Sequence, residues 1–271
     1  MLRLMTIFLA LNASASEPAI ILGVLEEIPG SYVGDPPHRA IRVAFQKQGR
    51  EWQPASEYPP SVTWTIAFSG RNLSQLTASN STDGLQTITS KEPIPTIGKR
   101  SEQFAGFLGT PVLRPLIAIS QPNFKDPDAW KPHPAPELTA PLRLAFRKKF
   151  PNVSNCATSN DDPKPWPYRD TDIKLTKAYA SNKGWSAVQV RLTGNRCEGP
   201  EDDPFYDQWF AVTPRGEIIF LGQGMWLVDA GDYDNDGKSE LVFAINRYNQ
   251  GGYEIFYDDF QGHAVLHFSY H

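Results

Sequence analysis

The chain has 271 residues, long enough for one large β domain or two smaller ones. Its 26 Lys and Arg against 30 Asp and Glu leave a formal net charge of -4. There is no concentrated basic face of the kind that nucleic-acid binders carry, so nucleic acid is not expected as a partner. The densest basic cluster, Phe146 to Phe150 (FRKKF), reads as the solvated side of a helix end.

The first residues read as an address. Arg3 precedes the apolar run Leu4 to Leu11 (LMTIFLAL), and Ala13 to Ala15 (ASA) supplies the small residues that a signal peptidase requires. A signal peptide over 1–15, cut near Ala15, is therefore predicted; the alternative is a buried first strand. The run is shorter than the roughly 20 apolar residues that span a bilayer, and no later segment is apolar enough to do so. The mature protein is expected to be secreted or periplasmic, with no membrane span. In such an oxidising compartment the only two cysteines, Cys156 and Cys197, are expected to pair as a disulfide rather than to remain two separate thiols. Closing that loop stabilises the fold by about 4 kcal/mol in the chain-entropy description.

Region 16–121 reads as β structure. Ala40 to Trp52 alternates, with Ile41, Val43 and Phe45 on one face, and turns at KQGR; Trp64 to Ala78 repeats the layout around SGRN. Region 122–151 opens on a stretch too rich in proline for a helix interior or a central strand, and is expected to be an extended connection. One short helix is expected after it, over Ala140 to Phe150, with Thr139 as its cap, Pro141 in the first turn and Pro151 as its stop. Region 152–271 returns to β hairpins, with turns at SNKG in Asp172 to Leu192 and at TPRG in Trp209 to Leu221. The hairpins around Gly216 and Gly262, 46 residues apart, match at Phe210 and Phe256, Ile219 and Val265, and Phe220 and Leu266. That spacing suits a propeller blade, although the earlier hairpins do not continue the period. The fold class expected is mainly β, built from antiparallel hairpins or meanders, propeller-like in its C-terminal part, with one short helix.

One stretch carries metal chemistry. DAGDYDNDGKSELVF, Asp229 to Phe243, places aspartates at 232, 234 and 236, then Gly237 and Glu240. Calcium takes six to eight oxygens, so carboxylates must converge from a tightly turned backbone. An EF-hand begins in this way but needs a glutamate at its twelfth loop position, which is Phe243 here. The remaining acid, Glu240, is the ninth, and the flanks MWLV and ELVFAI read as strands. The segment Trp226 to Tyr257 thus resembles the FG-GAP and VCBS repeats, as found in integrin α-chain propellers, in which a D-x-[DN]-x-[DN]-G-x-x-[DE] loop joins two strands. The resemblance implies a Ca²⁺ site with Asp232, Asp234, Asp236 and Glu240 ligating through side chains and Lys238 through its carbonyl. Four carboxylates repel one another without a divalent ion, so the metal is expected to hold the fold within a closed shell with little room for substrate; a solvated acidic turn without metal and a Mg²⁺ site are the alternatives.

Other constellations read as structure. His263, His267 and His271 are four apart, but the intervening alternation is that of a strand, on which they span too far for one ion. GWSAV at Gly184 fails the nucleophile-elbow pattern at its last position. The acids Asp161 and Asp162, and Glu201 to Asp203, lie among prolines and polar residues and read as solvated loops. The aromatics of DAWKP (Asp128 to Pro132) and PWPY (Pro165 to Tyr168) are placed either to stack on sugar rings or to pack on their own domain. Sequons occur at Asn72, Asn80 and Asn152. The function expected is an exported calcium-binding β protein acting as a binding or structural module rather than an enzyme, its partner a carbohydrate or an envelope or extracellular protein. The alternatives are a secreted hydrolase using the carboxylates near Asp161 and Glu201, and an adhesion or envelope-associated protein.

Overall fold

A computed structural model describes residues 19–30, 35–82, 84–106, 109–156, 162–195, 204–247 and 250–269. The expected signal peptide, Cys197, Asp161, Glu201 and His271 lie outside the described residues.

The N-terminal region contributes β1 (Ile21–Ile28), β2 (His38–Gln48), β3 (Glu51–Pro54), β4 (Ser61–Phe68), β5 (Arg71–Thr82), β6 (Leu85–Ile88), β7 (Ser101–Ala105), β8 (Pro111–Val112) and β9 (Leu116–Ile119). Six of them form an antiparallel barrel in the order β1-β9-β4-β5-β6-β2, closed by pairing of β1 with β2. Closure leaves these strands no open sheet edge. Leu25, Ile41, Val43, Trp64, Ile66, Leu76 and Leu116 fill the interior. The Trp64 indole N–H donates to buried Gln86 at 2.8 Å, so the polar edge of the largest interior ring is satisfied.

Both expected hairpins are present, with one correction. Register slips where β1 meets β2, Leu22 facing Phe45 while Gly23 faces Val43, so Ala44 is the extra residue of a bulge. A bulge breaks the two-residue alternation. Ile41 and Val43 therefore point into the barrel, but Phe45 packs on its outer face with Leu22 and Trp52.

The chain then runs through β10 (Lys131–Pro132) into helix α1 (Thr139–Lys149), β11 (Ser154–Asn155) and β12 (Lys164–Pro165). Thr139 does not cap the helix. A 3₁₀ turn, Pro136–Leu138, leads directly into it, and the Thr139 N–H donates to the Pro136 carbonyl, which puts Thr139 inside the helix. Two four-stranded meanders follow. The first is β13 (Ile173–Ala180), β14 (Ser186–Leu192), β15 (Gln208–Val212) and β16 (Ile218–Gln223), extended at its edge by β10; the second is β17 (Met225–Gly231), β18 (Glu240–Arg247), β19 (Gln250–Tyr257) and β20 (Gly262–Ser269). The 46-residue match therefore joins the third and fourth strands of two successive units. The described residues hold two such units, and no propeller.

These parts stack in four layers. Leu142 and Phe146 of α1 pack on Val188, Val190 and Phe210 of the first meander. Its other face, through Ala187 and Trp209, packs on Met225, Leu227, Phe243 and Phe256 of the second. The opposite face of the second meander, through Val228, Val242, Tyr253 and Ile255, packs on Leu22, Val24, Phe45, Ile117 and Ile119 outside the barrel. A sheet covered on both sides has no polar face, which is why β17 and β18 read as continuous apolar runs.

Candidate metal centre

The acidic loop joins β17 to β18, as its apolar flanks require, and Gly231 pairs with Glu240 where it closes. Asn235 (φ 61°) and Gly237 (φ 89°) take the left-handed conformation that turns the backbone back on itself. Aspartate side chains brace the turn from within. Asp232 accepts from the N–H groups of Asp236 and Gly237, both at 3.0 Å, and Asp234 accepts from Asp236 at 3.1 Å. Such local bonds are available to short carboxylates and to no apolar residue.

The proline-rich connection clamps the outside of this loop. The Asp232 N–H donates to the Lys125 carbonyl at 2.8 Å; Ser239 donates through N–H to Asp128 at 3.1 Å and through its hydroxyl to Asp126 at 2.7 Å. Phe124 stacks on the fully buried Tyr233 at 5.2 Å and covers Gly231, where a Cβ would stand 2.0 Å from the Phe124 ring. The barrel also reaches the strand that leads into the loop. Ser69, in the SGRN turn, donates its N–H to both oxygens of Asp229, while Arg114 donates to the carbonyls of Leu227 and Val228. Burial lifts the Asp229 carboxyl to about 7 against the opposing pull of those N–H bonds and of Arg114.

Three of the four expected carboxylates converge: one oxygen from each of Asp232, Asp234 and Glu240 lies within 4.8 Å of the others. Glu240 is only 1% exposed, and its one hydrogen bond comes from the Tyr233 N–H at 2.7 Å; its second oxygen accepts from no described residue. Burial, then the charge of Asp234, raises its pKa well above the usual range, with Asp232 and Asp236 adding to the effect against the Tyr233 bond. Burial likewise raises Asp232, opposed by the Gly237 N–H and reinforced by Asp234 and Asp236. A buried carboxylate held against two others is costly unless a cation compensates it. An all-oxygen donor set of this charge suits a hard divalent ion. Asp236 stands outside the group, exposed, its carboxylate accepting from the Lys238 N–H at 2.8 Å. Lys238 extends its ammonium to Asp258 and, at 3.4 Å, to Asp259.

The expected closed shell is not what surrounds these acids. Asp234, Asp236 and Glu240 line a cleft of about 490 Å³ together with Lys47, Arg50 and Tyr257. Lys47, on the barrel, forms an ion pair with Asp234. Sequence reading missed it because 187 positions separate the two residues. The only local signal is a lysine one residue before the end of an amphipathic strand, which is common.

The remaining candidates resolve into packing. Trp130 meets Phe260 edge-on at 6.1 Å, and Trp166 stacks on Phe205 at 6.0 Å, so the aromatics of DAWKP and PWPY cover their own chain. His263 and His267 lie on the exposed side of β20. Cys156 is buried, and its N–H donates to the Asn195 carbonyl at 3.3 Å. Among the described residues no helix is long and apolar enough to cross a membrane. Comparison with protein-family models, with curated proteins and with solved structures finds no match for this chain.

Proposed function

We propose that the chain is an exported Ca²⁺-binding β protein, a binding or structural module in which the ion at Asp232, Asp234 and Glu240 ties the second meander to its neighbours. The observation that carries this reading is Glu240, a buried carboxylate beside two others with one oxygen that no described donor reaches. The strand-loop-strand setting of the acids supports the likeness to FG-GAP and VCBS loops. By that likeness Asp236, which here accepts from the Lys238 N–H, and the Lys238 carbonyl would complete the ligand set. Export to a secreted or periplasmic location rests on the leader-like first 15 residues. A Cys156–Cys197 disulfide belongs to the same proposal. It is supported by the hydrogen bonds from Cys156 to Asn195 and from Asn195 to Asn155, which hold the chain two residues before Cys197 against Cys156; intact mass before and after reduction tests it.

Thermal unfolding in excess calcium and in chelator tests the metal. An ion that binds only the folded state stabilises it by RT ln(1 + [L]/Kd), about 2.7 kcal/mol at a hundredfold excess over Kd. We expect calcium to raise the melting temperature of the wild type. Glu240→Gln should abolish that rise while stabilising the protein in chelator above the usual carboxylate range of pH, because an amide does not carry the cost that burial and the neighbouring acids place on ionising this carboxyl. Identical melting in calcium and chelator would refute the site.

A further inference from the structure

We infer that Lys47 is a resident cation of the acidic loop, a barrel residue that competes with the metal for Asp234 and so sets the affinity of the site. This rests on the calcium reading above. The bulge at Ala44 turns Phe45 to the outer face of the barrel, and Lys47, two residues on, follows the same alternation. Its ammonium reaches Asp234 across the joint between barrel and second meander. The Lys47 side chain is 13% exposed and that of Asp234 3%, so the pair is screened from water, unlike the exposed pairs that count for little.

Two rings hold the ammonium there. Trp52, directly opposite on β3, lies 5.4 Å from the nitrogen at its ring centroid, and Tyr257 on β19 lies 5.6 Å away. A cation over two aromatic faces gains from both ring quadrupoles. The two oxygens of Asp234 are both engaged, one by the Asp236 N–H and the other by Lys47. A divalent ion drawing on this carboxylate must take it from the lysine or suffer repulsion from it. The cleft beside the pair, with Gly49 and Arg50 on its wall, is where the displaced side chain would swing.

The test is calorimetric titration of the full chain with CaCl₂, comparing the wild type with Lys47→Met and Lys47→Arg. Removing a charge-assisted contact of this class predicts calcium binding tighter by about tenfold or more in Lys47→Met, and close to wild type in Lys47→Arg. A second readout does not depend on either variant. Calcium should change the fluorescence of Trp52 in the wild type as the ammonium leaves its ring, and that component should be missing from Trp52→Phe. Affinity in Lys47→Met equal to or weaker than wild type would overturn the role of Lys47 while leaving the calcium site standing, as would an unresponsive Trp52. No calcium binding by any of the proteins would sink both.

Discussion

Glu254 is a carboxyl placed among apolar side chains, facing Phe243 on one neighbouring strand and Val265 on the other. Burial lifts its pKa to about 7, the charge of Arg247 opposing, against 4.5 for an unburied glutamate. Between those two values the folded protein holds a proton that the unfolded chain has released. Stability from this residue is therefore present below the lower value and is lost as pH rises towards the upper one. At about 1.4 kcal/mol per pH unit the loss amounts to about 3 kcal/mol, less whatever residual solvation the carboxyl retains. We expect Glu254→Gln to flatten the fall in urea midpoint between about pH 5 and about pH 8, and to leave the variant more stable than the wild type at the higher pH. A wild-type midpoint that does not fall over this window would contradict the assignment. Asp229, also lifted to about 7, acts in the same direction, so the variant should reduce the slope without removing it.

Between elements, the closest approach near the loop is that of Phe124 to Gly231. A Cβ at 231 would stand 2.0 Å from the Phe124 ring, with Tyr233 3.2 Å away on the other side. Gly231→Ala should therefore cost at least as much as typical overpacking, about 3 kcal/mol, and should cost under about 1 kcal/mol in a Phe124→Ala background. Equal costs in the two backgrounds, read from denaturant midpoints, would show that the clash is relieved elsewhere. This contact was not legible in the sequence, and the reason is general to the chain. Hairpins were legible because alternation and turn residues are local; the turns fall at KQGR, SGRN, SNKG and TPRG as expected, and Gly49, Gly70, Gly184 and Gly216 take a positive φ in them. The ninth-position Glu240 was legible because ligand spacing is local too. Whatever depends on a distant partner was not. The bulge at Ala44 exists in the register of β1 against β2, so alternation along the sequence alone puts Phe45 on the wrong face. The proline-rich stretch is an extended connection only in part: it bridges the loop at Lys125 and then turns at Pro127 and Asp128, and that turn, which sequence alternation does not show, sets Asp126 and Asp128 against Ser239. Thr139 has the chemistry of a cap, but the 3₁₀ turn before it had already satisfied the helix start.

Over the whole molecule, the order of strands in the barrel differs from their order in the chain. β9, at Leu116–Ile119, lies between β1 and β4, pairing Leu22 with Ile119 and Thr65 with Ile119. The hairpins on either side can form early, but the ring stays incomplete until a strand almost a hundred residues after β1 arrives between them. Loop closure over such separations slows folding more than it weakens the final state. During synthesis at about 5–20 residues per second, β1 and β4 therefore wait several seconds with unpaired edges before β9 leaves the ribosome. The outer face that later receives the second meander stays bare for longer still, since Val242 and Ile255 come more than a hundred residues after β9. The interval in which this chain can pair with the wrong neighbour is set by the position of four residues, Leu116 to Ile119, in its sequence.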